Sequence, residues 1–355
     1  MTTSGPGVGA DSAAAQASSD GSPDMVGAAL RAAVTALAAA GSVTVVSHVQ
    51  PDADTVGSAL ALATVLRRRG VAVRAAFAEP AELPASMATL PGADLLVPPV
   101  EVPDTADVLV AVDCASASRM GALADRLAGA ATTVVIDHHR SNTRFGAINV
   151  VDPGAESTAG LVARLLDVWG EPIDAPVAHC LYAGLVTDTG SFRWVRPGTH
   201  ELAERLLATG IDGPEIARTL LDTHPFAWLP MLARVLSTAR LEPGVRGGVG
   251  LAYAFVHRAD LTDVRSEEVE SVIDIVRTTA EAGIAAVFKE SRAQAGRWTV
   301  SLRSRDSGPG ADDGVDVDVA AVATALGGGG HRYAAGYTAE GSPEEIVGAL
   351  VRALG

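Results

Sequence analysis

The chain has 355 residues, 48% of them hydrophobic and only 4% aromatic, so Ala, Val and Leu must build most of the core. That length suffices for two ordinary domains. A net charge of -15 and a pI near 4.9 argue against a protein that coats long nucleic acid, which needs a basic face to release counterions from phosphate. A short anionic substrate is compatible with such a chain if cations and a few arginines share one pocket. Lys289 is the only lysine, so nearly all positive charge is arginine, the side chain suited to bidentate phosphate contacts.

Residues 1–24 are rich in Ser, Gly, Ala and Asp and read as a disordered tail, with no basic start or apolar stretch to suggest a signal peptide. An Ala-rich helix follows over 25–40, then a strand at 43–47, a loop, and a helix opening near Gly57 and ending by Arg69. Short continuous apolar runs at 71–77, 108–112 and 133–136 predict strands buried on both faces of a parallel sheet. Helices are expected at 119–128, 157–169 and 176–185, and a helical stretch at 201–240. The pattern predicts an α/β fold: a doubly wound, mainly parallel sheet whose sites form at the carboxyl ends of strands.

The Pro- and Gly-containing segment 242–250 marks a boundary. Beyond it come strands at 251–256, 283–289 and 298–303, a helix at 266–280, and a polar loop over 304–314. A helix at 317–326, a glycine run at 327–330 and a helix at 342–354, opened by Ser342 with Glu345, complete a smaller α/β domain. The domains are therefore the tail 1–24, a first domain 25–224, a connecting helix and linker 225–244, and a second domain 245–355. No apolar run approaches the roughly 20 residues that span a bilayer. Cys114 and Cys180 lie far apart in no CxxC pattern, which fits a reducing cytoplasm.

Four fragments carry chemistry: Ser47-His48-Val49-Gln50-Pro51-Asp52-Ala53-Asp54-Thr55-Val56-Gly57-Ser58, Val112-Asp113, Asp137-His138-His139, and Thr187-Asp188-Thr189-Gly190. Taken singly each has a bland reading. A DxD is commonly a solvated loop or helix cap, a His-His pair is often structural, and Asp188 alone would be a turn residue. Three of the four, however, sit just past an apolar strand and so share one rim of one sheet. Converging carboxylates repel and raise each other's pKa unless cations lie among them. Mixed imidazole and carboxylate donors suit Mn2+, Fe2+ or Co2+, whereas Mg2+ prefers oxygens and waters. Two ions need a shared ligand, and Asp113 is the natural bridge.

With these motifs the sequence resembles the DHH phosphoesterases, from His48 to Asp188. The likeness resumes at Gly328-Gly329-Gly330-His331-Arg332-Tyr333-Ala334-Ala335-Gly336, which is similar to the GGGHxxAAG signature of the DHH-associated domain. Within the family it is most similar to bacterial oligoribonucleases that also act on 3′-phosphoadenosine 5′-phosphate. The resemblance implies that His48, Asp52 and Asp113 hold one divalent ion and that Asp54, Asp113, His138 and Asp188 hold the other, with Mn2+ favoured. It gives Asp113, Asp137 and His139 catalytic roles, Asp137 by orienting the paired histidines and His139 at the scissile phosphate or leaving group. Arg303, Ser304, Gly329, Gly330 and His331 would bind substrate, the glycines by offering backbone N–H groups to phosphate. Lys289 and Arg292 are weaker candidates. The implied activity is hydrolysis of very short RNA to mononucleotides, of 3′-phosphoadenosine 5′-phosphate to AMP, or both. No long duplex and no membrane partner is expected, and a homodimer is left open. A cyclic di-AMP or linear dinucleotide phosphodiesterase is the rival within the enzyme class, and a non-catalytic nucleotide-binding regulator the rival outside it.

Overall fold

A computed structural model describes residues 23–305 and 317–355. Most of the expected tail and of the loop 304–314 lies outside these residues, as does the side chain of His331. The described chain forms two compact units, one ending at Thr223 and the other beginning at His224. No helix among the described residues is long and apolar enough to cross a membrane.

The first unit runs α1 (Pro23–Ala39), β1 (Ser42–Val46), α2 (Ala53–Arg68), β2 (Ala72–Ala76), β3 (Ala106–Val112), β4 (Ala130–Asp137) and β5 (Ile148–Val151). Then follow α3 (Thr158–Trp169), α4 (Ala175–Asp188), α5 (Thr199–Leu207) and α6 (Gly213–Leu221). The strands form one parallel sheet in the order β2-β1-β3-β4-β5. The order reverses between β1 and β3, the position where open α/β sheets leave a crevice beyond the carboxyl ends of their strands.

Strand alternation divides the core between the two faces. Val108, Val110 and Val112 of β3 pack among α1 to α4 with Leu60, Leu66, Leu161 and Leu165. Leu109 and Ala111 face the other way, against Met120 and Leu123. Each fully buried Leu or Val contributes about 1.5–3 kcal/mol relative to exposure. The second face is covered by a 3-10 segment, Ala117–Gly129, where the sequence predicts an α-helix over 119–128. Gly121, at φ 58° and ψ -138°, interrupts it.

Helix α2 opens four residues before the expected Gly57, because Asp52 caps it: its Oδ1 accepts from Asp54 N at 3.1 Å and Thr55 N at 3.0 Å. Gly57 instead serves packing. A Cβ there would lie 2.3 Å from Cys180 O, so α2 and α4 meet backbone to backbone. Asp188 likewise belongs to the last turn of α4, where the sequence suggests a turn beyond a helix ending at residue 185. The helical stretch 201–240 is broken into shorter helices. Gly210, at φ 90°, ends one, and Asp212 caps the next by accepting from Glu215 N at 3.0 Å.

The second unit contains α7 (Trp228–Ser237), β6 (Arg240–Glu242), β7 (Leu251–Val256), α8 (Ser266–Glu270), α9 (Val272–Val276), β8 (Ile284–Glu290) and β9 (Arg297–Ser304). It ends with α10 (Val319–Ala325), β10 (Gly329–His331), β11 (Ala334–Glu340) and α11 (Pro343–Leu354). Its sheet runs β10-β11-β9-β8-β7-β6 and is antiparallel except between β7 and β8. Phe288, Trp298, Val300, Leu302 and Tyr337 pack on α10 and α11 across one face, and Ala285 and Val287 pack on Val272 and Ile273 across the other. The helix expected over 266–280 divides at Ser271, whose Oγ donates to Glu268 O at 2.9 Å and accepts from Trp228 Nε1 at 3.1 Å. Ser342 and Glu345 form the anticipated capping box of α11.

The glycine run is a strand rather than an open loop. Gly329 pairs with Gly336 and Gly330 with Ala335. Gly328 is required by close approach, since a Cβ there would lie 2.1 Å from Gly336 O, whereas Gly329 has open space around its Cα.

Candidate metal centre

Each side chain of the centre is delivered by the end of an element. His48 follows β1, Asp113 follows β3, and Asp137, His138 and His139 end or follow β4. Asp52 caps α2, Asp54 lies in its first turn, and Asp188 is the last residue of α4. Asp113 has a left-handed backbone, φ 58°, a conformation Asp tolerates better than most residues. Its N–H donates to Ile136 O at 2.9 Å, which ties the end of β3 to β4.

The two oxygens of Asp113 face different groups. Oδ2 lies 3.4 Å from His48 Nε2, which is itself 3.6 Å from Asp52 Oδ2. Oδ1 lies 3.6 Å from His138 Nε2 and 3.4 Å from His139 Nδ1. His138 Nε2 in turn is 3.1 Å from Asp188 Oδ2. Three triads have ligand atoms within 4.8 Å of one another: His48, Asp52 and Asp113; Asp54, His138 and Asp188; and Asp113, His138 and His139. The structure thus gathers every ligand candidate of the first unit into two groups joined at Asp113.

Burial makes this cluster electrostatically unusual. Loss of solvation opposes protonation of His48, yet the Asp52 and Asp113 carboxylates outweigh it and carry its pKa up to about 10. Loss of solvation also opposes protonation of the half-buried His138, yet the hydrogen bond and charge of Asp188 raise it well above its ordinary value. Burial pushes Asp54 far up, helped by the charges of Asp188 and Asp113. Burial would raise Asp113 too, but the hydrogen bond from His48 and the charges of His139 and His138 hold it well below the usual carboxylate range. Crowding of these carboxylates thus favours positive charge among them. Divalent cations can supply that charge, and the mixed nitrogen and oxygen donors fit such ions.

Supporting groups, which sequence reasoning missed, hold these side chains in place. The Asp54 carboxylate accepts from Thr158 N at 2.7 Å and Ala159 N at 2.8 Å, at the N-terminus of α3, where backbone donors favour an anion. Thr158 Oγ1 donates to Asp113 Oδ1 at 2.8 Å. Thr55 Oγ1 donates to Val112 O at 3.1 Å and accepts from His48 N at 3.4 Å. His48 Nδ1 lies 2.8 Å from Val49 O, and Nε2 faces the carboxylates of Asp52 and Asp113. Arg119 Nη2 reaches to 3.2 Å from the same ring, although the sequence suggests only a helix start there. Asp137 contacts one histidine of the pair: its Oδ1 meets His139 Nδ1 at 2.5 Å and accepts from His139 N at 3.2 Å. Its Oδ2 accepts from Asn142 Nδ2 at 2.6 Å. Gly184 leaves the needed room, since a Cβ there would lie 2.5 Å from Asp54 Oδ1. Thr158, Ala159, Arg119, Asn142 and Gly184 were hidden because they belong to no motif of their own, whereas Asp137 and Thr55 lie within the fragments already named.

Of the candidates of the second unit, Arg303 lies opposite Ala334 of β11, which also pairs with His331 of β10, whereas Lys289 pairs with Thr299 toward the other end of the sheet. Arg303 is held below its ordinary pKa by desolvation, against the pull of Asp274 and Glu270, and its Nη1 donates to Leu302 O at 3.0 Å. The Ser304 hydroxyl donates to Val317 O at 2.7 Å. Lys289 Nζ is engaged by Glu270 at 2.6 Å and Ser301 at 2.8 Å, and Arg292 donates to Val264 O at 2.8 Å. Cys114 and Cys180 are buried, and burial pushes the Cys180 thiol up to about 12.

Comparison with known proteins yields concordant findings. Residues 42–185 match the DHH family, N-terminal domain. The bifunctional oligoribonuclease and PAP phosphatase NrnA of Thermus thermophilus is 32% identical over 306 residues, covering 85% of each chain. An exopolyphosphatase-related protein from Bacteroides fragilis shares the fold with a TM-score of 0.82 at 24% identity, over 92% of this chain and 96% of that one. RecJ of Thermus thermophilus, solved in complex with Mn2+, has a TM-score of 0.52 at 17% identity, over 92% of this chain and 54% of that one.

Proposed function

Since the chain belongs to the DHH family, we propose that it is a two-metal phosphoesterase that hydrolyses very short oligoribonucleotides to mononucleotides and 3′-phosphoadenosine 5′-phosphate to AMP. The observation that carries this reading is Asp113, whose two carboxylate oxygens face separate groups of imidazole and carboxylate donors. His48, Asp52 and Asp113 would hold one ion, and Asp54, Asp113, His138 and Asp188 the other. The imidazole share of the donors favours Mn2+ over Mg2+. When bound, such a pair supplies Lewis-acid stabilisation of the phosphoryl oxygens and a nucleophilic water.

The protein's own groups do the positioning. The end of α3 and Thr158 fix Asp54 and Asp113, so that the donors need little reorganisation when ions and substrate arrive. Asp137 holds the His139 proton at Nδ1, which assigns proton exchange with the leaving oxygen to Nε2. Arg119 supplies a cation beside this acidic centre for a phosphate oxygen. Arg303, Gly329, Gly330 and His331 would engage the nucleotide in the second unit, with the Ser304 hydroxyl contributing by pinning the strand end.

The test is an assay with Mn2+ against two- to five-nucleotide RNAs, 3′-phosphoadenosine 5′-phosphate, cyclic di-AMP, its linear form and pyrophosphate. Turnover of the short RNAs and of 3′-phosphoadenosine 5′-phosphate is expected. Asp113→Asn should lose turnover by at least about a thousandfold with an unchanged melting temperature; a near wild-type rate contradicts the shared-ligand role.

A further inference from the structure

The segment that leaves the metal centre after Asp188 has a built conformation that metal binding does not use. Gly190, Ser191 and Phe192 follow one another with φ of 55°, 60° and 63°. Side chains in left-handed backbone persist only where the surroundings hold them. Here Ser191 N donates to Val186 O at 2.7 Å, Phe192 N to Thr189 Oγ1 at 3.1 Å, and Trp194 N to Thr189 O at 3.0 Å. The Phe192 ring is anchored, stacked on His200 at 5.7 Å and 6.1 Å from Tyr182.

Trp194 is 46% exposed. Its indole lies directly on Gly190, where a Cβ would come within 2.1 Å of the ring, so glycine at this position is what seats it. The Arg193 guanidinium lies 5.7 Å from the indole centroid, and its Nε donates to Gly190 O at 2.6 Å. Two peptide links separate Gly190 from Asp188, so their Cα atoms are at most about 7.6 Å apart. A half-exposed aromatic ring with an arginine over it is thus seated on a residue two positions beyond Asp188.

We propose that Trp194 is the stacking platform for a base of the substrate nucleotide whose phosphate occupies the metal centre, with Arg193 beside it for the sugar-phosphate. This rests on the reading of the protein as a phosphoesterase of short nucleotides. Every base has a π-face, so stacking on indole would select for a nucleotide without selecting its sequence, and arginine adds a positive charge where an acidic surface would repel an anion.

Two measurements separate this proposal from the reading beneath it. In the first, AMP is titrated while indole fluorescence is recorded. Saturable quenching is expected in the wild type and its loss in Trp194→Phe, which keeps Trp169, Trp228 and Trp298. No quenching in the wild type, or equal quenching in both, overturns the platform whether or not the enzyme turns over. In the second, Trp194→Ala is expected to lower kcat/KM on the dinucleotide pApA about tenfold, mainly through KM, with Trp194→Phe recovering most of it. A dinucleotide lacking the stacked base should not discriminate the wild type from Trp194→Ala. Equal kcat/KM on pApA overturns the platform, whereas a wild type that cleaves no nucleotide in the panel defeats the phosphoesterase reading.

Discussion

Asp113 combines a left-handed backbone, near-complete burial and contacts to three imidazoles. The nearest support for its carboxylate is the hydroxyl of Thr158, 2.8 Å from Oδ1. Thr158→Val preserves the shape of the side chain and the backbone N–H that serves Asp54, while removing the hydroxyl that donates to Asp113 Oδ1. Such second-layer contacts typically change metal affinity by about 10–100-fold. Isothermal titration with Mn2+ should show a loss in that range with little change in melting temperature; unchanged affinity would remove Thr158 from the centre's support. The acids and imidazoles themselves were readable in the sequence, because charged residues directly after apolar strand runs must emerge at one sheet rim. Thr158, Asn142 and Arg119 were not readable, because what singles them out is a neighbour brought close only by folding.

Among the elements, local chemistry decided where the sequence was legible. Long apolar strands and the capped terminal helix were recognisable from their pattern alone. The short edge strand β5 and the small-residue strands β10 and β11 were not, since Gly and Ala give almost no periodic signal. The opening of α2 was misplaced because Asp52 was read as a ligand and not also as a cap, although its two oxygens allow both. A less visible contact joins β1 to β3: the exposed Asp107 carboxylate accepts from Gly41 N at 2.8 Å and Ser42 N at 2.9 Å. Hydrogen bonds from Ser42 and Gly41 lower its pKa. A carboxylate whose folded pKa is depressed contributes stability that is present above its unfolded pKa, about 3.9, and is lost as pH falls through the folded value. Denaturant melts of Asp107→Asn should therefore show the variant less stable near neutrality, with the difference from wild type shrinking as pH falls below about 4 and vanishing once the folded pKa is passed. A difference that persists unchanged in acid would mean that the charge on Asp107 plays no part.

At the scale of the whole molecule, a net charge of -15 looks at odds with an anionic substrate. The contradiction resolves if the buried part of that negative charge serves cations and the nucleotide meets those cations, with arginine, in place of a basic surface. Short substrates make this workable, because few phosphates need neutralising at once. The two units answer to different parts of the sequence. The strand-end acids and imidazoles belong wholly to the first, and the glycine signature wholly to the second, where strand pairing and close packing account for Gly328 and Gly330 and leave Gly329 with open space. What remains decisive is whether the first unit's cluster holds a pair of ions. Crystals grown with Mn2+ and measured at the manganese absorption edge give the answer directly. The account predicts two anomalous peaks sharing Asp113, one bounded by His48 and Asp52 and the other by Asp54, His138 and Asp188. A single peak, or none with these side chains splayed apart, would contradict it.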